Sequence, residues 1–144
     1  KAKMADRVTI QSFDWRTLAL VGQLAPQLSR AYLTTPRTLK DSRWTAGLDP
    51  ASFASVPQLV KAAVGASTGP VIWSPAHADL GAPAIREAQK LGMKVVPWTV
   101  NQRADMVRLM DAGADGLITD YPDVLRDLMR ERGLALPPPA KATS

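Results

Sequence analysis

The chain has 144 residues, 46% of them hydrophobic and 22% charged, the size and balance of one compact domain with a sizeable core. Its net charge of +5 suits an anionic ligand, but the basic residues are dispersed among acidic ones, which reads as a solvated mixed-sign surface and not as a nucleic-acid patch. No apolar run approaches the length that spans a bilayer, and the absence of cysteine excludes disulfides and thiolate metal sites.

The N-terminal "KAKMADRVTIQSF" has basic residues but no long apolar stretch behind them, so it does not read as a secretory signal, and cytoplasm and periplasm both stay open. Within it, Arg7 to Phe13 alternates and is rich in β-branched residues, which predicts a strand closed by Asp14 as a helix N-cap. Leu18, Leu20, Val21 and Leu24 keep helical spacing up to Pro26, and "RAYLT" is a second short strand. Thr35 to Ser55 has turn residues and little periodicity and is read as a long loop. A helix is expected over Val56 to Ala66, then a strand at "PVIWSP".

From there the punctuation is regular. "LGAPAIREAQKLG" predicts a helix stopped by Gly92, where a left-handed residue is expected. "MKVVPWTV" predicts a strand, Asn101 an N-cap, and "QRADMVRLMDAG" a helix closed by Gly113. "DGLITD" reads as a strand whose Asp120 caps "YPDVLRDLMRERG", a helix with Pro122 in its first turn and Gly133 past its end. Alternating strands and helices with crossovers this long require parallel strands, and the apolar runs "VTI", "VIW", "KVV" and "GLI" suit strands buried on both faces. Either an open doubly wound sheet or a run of βα units from a barrel fits. No glycine-rich phosphate loop is present.

Function in such folds gathers at the carboxyl ends of the strands. Here those ends carry Gln11-Ser12-Phe13-Asp14, Leu33-Thr34-Thr35, Trp73-Ser74-Pro75, Trp98-Thr99-Val100-Asn101 and Thr119-Asp120-Tyr121. Aromatic rings beside short polar groups are what a pocket with an apolar wall and a few hydrogen-bonding groups requires. Strand alternation puts Gln11, and not Ser12, on the face of Phe13. Asp14, Asn101 and Asp120 are read first as helix caps. His77, the only histidine, stands without a second candidate ligand and is read as a loop residue. Arg37, Lys40 and Arg43 fall in the long loop on the functional edge, as solvated charges or as groups that meet an anionic substrate. No Ser-His-Asp set and no carboxylate cluster with metal-ligand spacing occurs.

Taken together, "VTIQSFD", "GMKVVPWTVN" and "MDAGADGLITDYPDVL" at these separations resemble the glycerophosphodiester phosphodiesterase family, from about Arg7 to Arg130. The resemblance implies an α/β fold, the second half of a TIM-type (β/α)8 barrel of the phospholipase-C-like phosphodiesterase kind, over residues 1–136, followed by a disordered Pro-rich tail over 137–144. It implies hydrolysis of glycerophosphodiesters to glycerol 3-phosphate and an alcohol such as choline or ethanolamine. Phe13 and Trp98 match aromatic residues that line the family's pocket near the glycerol moiety, with Gln11 a weaker candidate beside Phe13.

The family's His-Arg-Gly strand, Pro-Glu-Asn segment, Glu-x-Asp strand, second histidine and Glu-x-Lys strand do not occur in this sequence. The resemblance therefore implies that the acid–base histidines and the ligands of a divalent cation, Mg²⁺ or Ca²⁺, lie outside this chain. The isolated chain is then expected to be inactive. Its expected partner is a missing N-terminal half-barrel or a second copy of the chain. The alternative is a non-catalytic half-barrel that binds or assembles.

Overall fold

The computed structural model describes residues 4–138, so all but the first two prolines of the expected tail lies outside the described residues. Four strands, β1 (Thr9–Ser12), β2 (Ser29–Thr34), β3 (Val71–Pro75) and β4 (Lys94–Val95), form one parallel sheet in sequential order. Helices α1 (Trp15–Leu24), α2 (Val56–Val64), α3 (Ala82–Lys90), α4 (Arg103–Asp111) and α5 (Pro122–Glu131) complete the alternation. Sequential order is what repeated βα crossovers produce. Among the described residues no helix is long and apolar enough to cross a membrane.

Local chemistry sets most boundaries. The Asp14 carboxylate accepts from the Arg16 backbone N–H at 3.1 Å and opens α1, and the Ser55 hydroxyl does the same for Gln58 at 3.3 Å in α2. Gly92, Gly113 and Gly133 follow α3, α4 and α5 with φ of 86°, 89° and 65°, at the stops the sequence predicts. The long loop contains two short 3₁₀ turns, Thr38–Lys40 and Pro50–Ser52.

Register divides the sheet into two faces. Ser12, Tyr32, Trp73 and Val95 stand in one row, and Gln11, Ala31, Ile72 and Lys94 in the row before it. The first row faces the helices, where Tyr32, Trp73 and Val95 are buried with Trp15, Leu18, Leu59, Ile85, Met106 and Leu109. The second row lies on the opposite face, and its end residues Gln11 and Lys94 are exposed. Burial on both faces, expected from the apolar runs, therefore holds for β3 but not for β1, whose alternate residues Thr9 and Gln11 are exposed. A sheet covered by helices on one side leaves its outermost strand half wet.

Two expected strands are shorter than their patterns, and proline is the cause. Pairing with β3 runs on past β4, since Val96 N–H donates to the Trp73 carbonyl at 3.0 Å and Trp98 N–H to Pro75 at 3.1 Å. Asp115 N–H donates to the Val95 carbonyl at 2.9 Å. The return bond of a parallel ladder would come from residue 97, a proline with no N–H. Farther on, Ile118 N–H donates to the Pro97 carbonyl at 3.0 Å while the Ile118 carbonyl accepts from Val100 at 2.8 Å. Two residues, Trp98 and Thr99, thus stand where a regular ladder has one. This is a β-bulge, and the "DGLITD" segment lies along the sheet as an irregular fifth member.

A buried charge sits under the start of β2. Arg30 is fully buried between α1 and the α2–β3 connection, donating to the Ser67 hydroxyl at 2.8 Å and the Thr68 carbonyl at 2.9 Å. Its Nε has no hydrogen-bond partner.

Candidate functional site

The bulge decides what the carboxyl edge of the sheet presents. Gln11 and Phe13 lie on the face turned away from the helices, by alternation along β1 and its extension. Leu33 shares that face through its pairing with Ser74, and Trp98 shares it through a parallel bridge to Ala76. Strict alternation would then turn Thr99 to the other side. Because two residues occupy one ladder position, Trp98 and Thr99 both reach a cavity of about 240 Å³ lined by Gln11, Phe13, Leu33, Trp98, Thr99 and Ile118.

The aromatic wall is fixed. The Trp98 indole N–H donates to the Ser74 carbonyl at 2.8 Å, holding the ring by one edge. The Phe13 ring meets it edge to face, with centroids 5.7 Å apart and planes at 80°, a geometry worth about 0.5–1.5 kcal/mol beyond burial. The three residues singled out from sequence, Gln11, Phe13 and Trp98, therefore come together in one cavity. Leu33 and Thr99 stand among the strand ends the sequence puts on this edge, but their entry into the same cavity, with Ile118, depends on pairing between distant segments and, for Thr99, on the bulge.

Asn101 and Asp120 correct the expected roles. Neither caps a helix: the N-caps of α4 and α5 are Gln102 and Tyr121, without side-chain cap bonds. The Asn101 amide instead donates to the Asp120 carboxylate at 2.8 Å, and its oxygen accepts from the Asp120 N–H at 3.0 Å and the Thr119 hydroxyl at 3.2 Å. The Thr119 hydroxyl in turn accepts from Tyr121 N–H at 3.0 Å. The amide needs both a carboxylate and a backbone N–H across the chain, and the edge segment supplies them where its ladder is incomplete. Asn101→Ala is expected to cost about 1–2 kcal/mol of unfolding free energy, read as a lower urea midpoint at unchanged slope.

The remaining polar candidates stand outside the cavity. The His77 Nδ1 donates to the Trp98 carbonyl at 3.2 Å, and its Nε2 lies 3.7 Å from the Asp105 carboxylate. The imidazole thus braces the backbone behind Trp98, as a loop residue. The Arg43 guanidinium holds the Asp41 carboxyl below the usual carboxylate range through side-chain hydrogen bonds, and Arg16 does the same to Asp14. A second cavity of about 260 Å³, walled by Leu39, Val56, Pro57, Trp73, Leu80 and Ala84 among others, opens on the helix-facing side through Trp73. It is more apolar, but it does not include Gln11, Phe13 or Trp98. Among the described residues no group of three or more His, Asp or Glu side chains is arranged to hold a metal ion.

Comparison with known proteins addresses the family and the fold. The glycerophosphoryl diester phosphodiesterase family matches residues 1–124. The chain is 32% identical over 125 residues to the protein YqiK of Bacillus subtilis (strain 168), covering 87% of this chain and 44% of that one. It is 30% identical over 133 residues to a glycerophosphodiester phosphodiesterase of Caldanaerobacter subterraneus, covering 89% and 44%. Among solved structures, one described as a glycerophosphoryl diester phosphodiesterase of Silicibacter pomeroyi superposes with a TM-score of 0.75 at 32% identity, over 94% of this chain and 42% of that one. The chain thus spans less than half the length of the relatives it matches. With a family match over residues 1–124, relatives at 30% and 32% identity and a parallel α/β sheet that superposes on a solved member, the chain belongs to the glycerophosphoryl diester phosphodiesterase family.

Proposed function

We propose that this chain forms the glycerol-binding wall of an enzyme that hydrolyses glycerophosphodiesters to glycerol 3-phosphate and an alcohol. The observation that carries the reading is the convergence of Gln11, Phe13 and Trp98 on one cavity at the carboxyl edge. Phe13 and Trp98 give the carbon skeleton of glycerol an apolar wall, while the Gln11 amide and the Thr99 hydroxyl provide hydrogen-bonding groups for its hydroxyls. Their contribution is orientation: a glycerol held against a fixed ring keeps its phosphate in one place.

The described residues bring no three His, Asp or Glu side chains together as a metal site. The Mg²⁺ or Ca²⁺ of the intact enzyme and the acid–base histidines are proposed to be held by residues outside this chain. In that arrangement the chain is the second half of a TIM-type barrel, and an N-terminal half closes over the face that carries Gln11 and Lys94.

The test is release of glycerol 3-phosphate from glycerophosphocholine by the intact enzyme, beside the same assay on the 144-residue chain alone with Mg²⁺ or Ca²⁺ added. The intact enzyme is expected to turn over, and the chain alone is not. Chelator-sensitive turnover by the pure chain would put the catalytic groups within it, and no release by the intact enzyme would end the proposal.

One observation favours a second reading, a non-catalytic half-barrel that assembles. The outer edge of β1 pairs with no other strand among the described residues, and such edges recruit another chain. A dimer of the isolated chain in light scattering, together with an inactive intact protein, would select this reading.

A further inference from the structure

Beyond Phe13 the carboxyl edge continues into a third depression of about 360 Å³, lined by Phe13, Thr35, Arg37, Thr38 and Trp44. Phe13 is the wall common to this depression and the glycerol cavity. The floor is preorganised: Thr35 N–H donates to the Thr38 hydroxyl at 3.0 Å, and Thr38 N–H donates to the Thr35 hydroxyl at 3.0 Å. This reciprocal pair fixes the two residues that bracket Arg37. Trp44 is anchored through its backbone, donating to the Asp41 carbonyl at 3.1 Å and accepting from Trp15 N–H at 3.0 Å, while the residue stays 41% exposed.

Charge sorts the arginines of this rim. Arg16 is paired with Asp14, and Arg43 with Asp41, each at 2.6 Å. Among the described residues Arg37 has no carboxylate partner, and it is the one that lines the depression. A guanidinium without a carboxylate partner, lining a depression together with two threonines and a tryptophan, binds planar or tetrahedral oxyanions and repels a quaternary ammonium.

We infer that this depression is a second substrate subsite, which takes a phosphate monoester or carboxylate group carried by the substrate beyond its glycerol. The inference rests on the proposed glycerol site, since Phe13 joins the two. It narrows the substrate class: a glycerophosphodiester bearing an additional anionic group is preferred over one whose far end is cationic, such as glycerophosphocholine. Arg37 is the residue that sets the preference, and Trp44 supplies the wall against which the group is held.

Two readouts test it. In the intact enzyme, the ratio of kcat/KM for glycerophosphoglycerol carrying a terminal phosphate to that for glycerophosphocholine is expected to fall about tenfold on Arg37→Ala, the scale of one charge-assisted contact at a partly wet site. The change is expected in KM, and Arg37→Lys should restore part of it. Raising salt should lower the wild-type ratio and barely move that of Arg37→Ala. An unchanged ratio would overturn the inference.

The second readout needs no turnover. In the 144-residue chain, nitrogen–proton NMR resolves the indole N–H groups of Trp44 and Trp98 during titration with glycerol, glycerol bisphosphate or choline. Glycerol bisphosphate is expected to shift Trp44 in the wild type and not in Arg37→Ala, while choline leaves it in place. Glycerol alone is expected to shift Trp98. A shift at Trp98 with none at Trp44 overturns the second subsite and leaves the glycerol site standing. No shift at Trp98 counts against the glycerol site itself, and a Trp44 shift that survives Arg37→Ala assigns the anion to another group.

Discussion

Replacing Trp98 by alanine is expected to lower kcat/KM of the intact enzyme for glycerophosphodiesters by about 100-fold, the cost of letting a reacting group drift by about 1 Å. Three losses combine in that one change. The cavity loses its largest wall, Phe13 loses the ring that holds it edge to face, and the Ser74 carbonyl loses the indole N–H that fixed the wall's orientation. Trp98→Phe should recover part of the loss, because it restores an aromatic face but not the bond to Ser74. Divalent-cation affinity, measured by calorimetric titration, is expected to stay nearly unchanged, since the groups around Trp98 do not form a metal site. A large fall in cation affinity would move Trp98 from the proposed glycerol wall to the proposed cation site, and unaltered kinetics would remove it from the site.

How much of this was legible in the sequence depends on how far each signal reaches along the chain. Asp14 and the glycines after α3, α4 and α5 act within a few residues, and all are where the local pattern puts them. Alternation along one strand was enough to pair Gln11 with Phe13. Asn101 and Asp120 are residue types that cap helices, and each precedes one, yet their partners are each other, 19 positions apart. No local rule sees that bond. Thr99 reaches the cavity only because Pro97 withholds an N–H and the next ladder position is doubled, so its role depends on two separate segments at once. Arg30 is the sharpest case: a charged residue in a strand reads as exposed, but a pocket of backbone carbonyl and hydroxyl built by α1 and the α2–β3 connection buries it completely. The solvated rim was likewise legible as charge. Which of its arginines stays without a counterion was not, because Asp14 and Asp41 choose their partners through loop geometry.

The largest effect on stability is expected from Gly69→Ala, at about 3–4 kcal/mol, and the reasons can be separated. Gly69 has φ of +102°, a backbone conformation that costs a residue with a Cβ about 1–3 kcal/mol. A Cβ there would also stand 2.1 Å from the Pro26 carbonyl oxygen and 3.3 Å from its carbon. Both atoms are backbone, so no rotamer relieves the clash, and one strand connection must move away from the other. That movement reaches Arg30, because the neighbouring Thr68 carbonyl is one of its two acceptors. A shift of Thr68 would leave a buried guanidinium, whose Nε is already unpartnered, with a further unmet donor, the kind of loss that costs more than the bond itself. Gly47→Ala is the control. It has φ of +85° with nothing within 4 Å of its Cβ, so it carries the conformational penalty alone, about 1–2 kcal/mol. Urea unfolding of the two variants should therefore give a clearly larger midpoint shift for Gly69→Ala at similar slopes. Equal shifts would mean that the α1–β2 and α2–β3 connections part easily, and that the chamber around Arg30 is looser than its hydrogen bonds indicate. A large shift confined to Gly69→Ala would instead tie the close approach of these two turns to the burial of Arg30, and through β2 to the strand end where Leu33 meets the cavity.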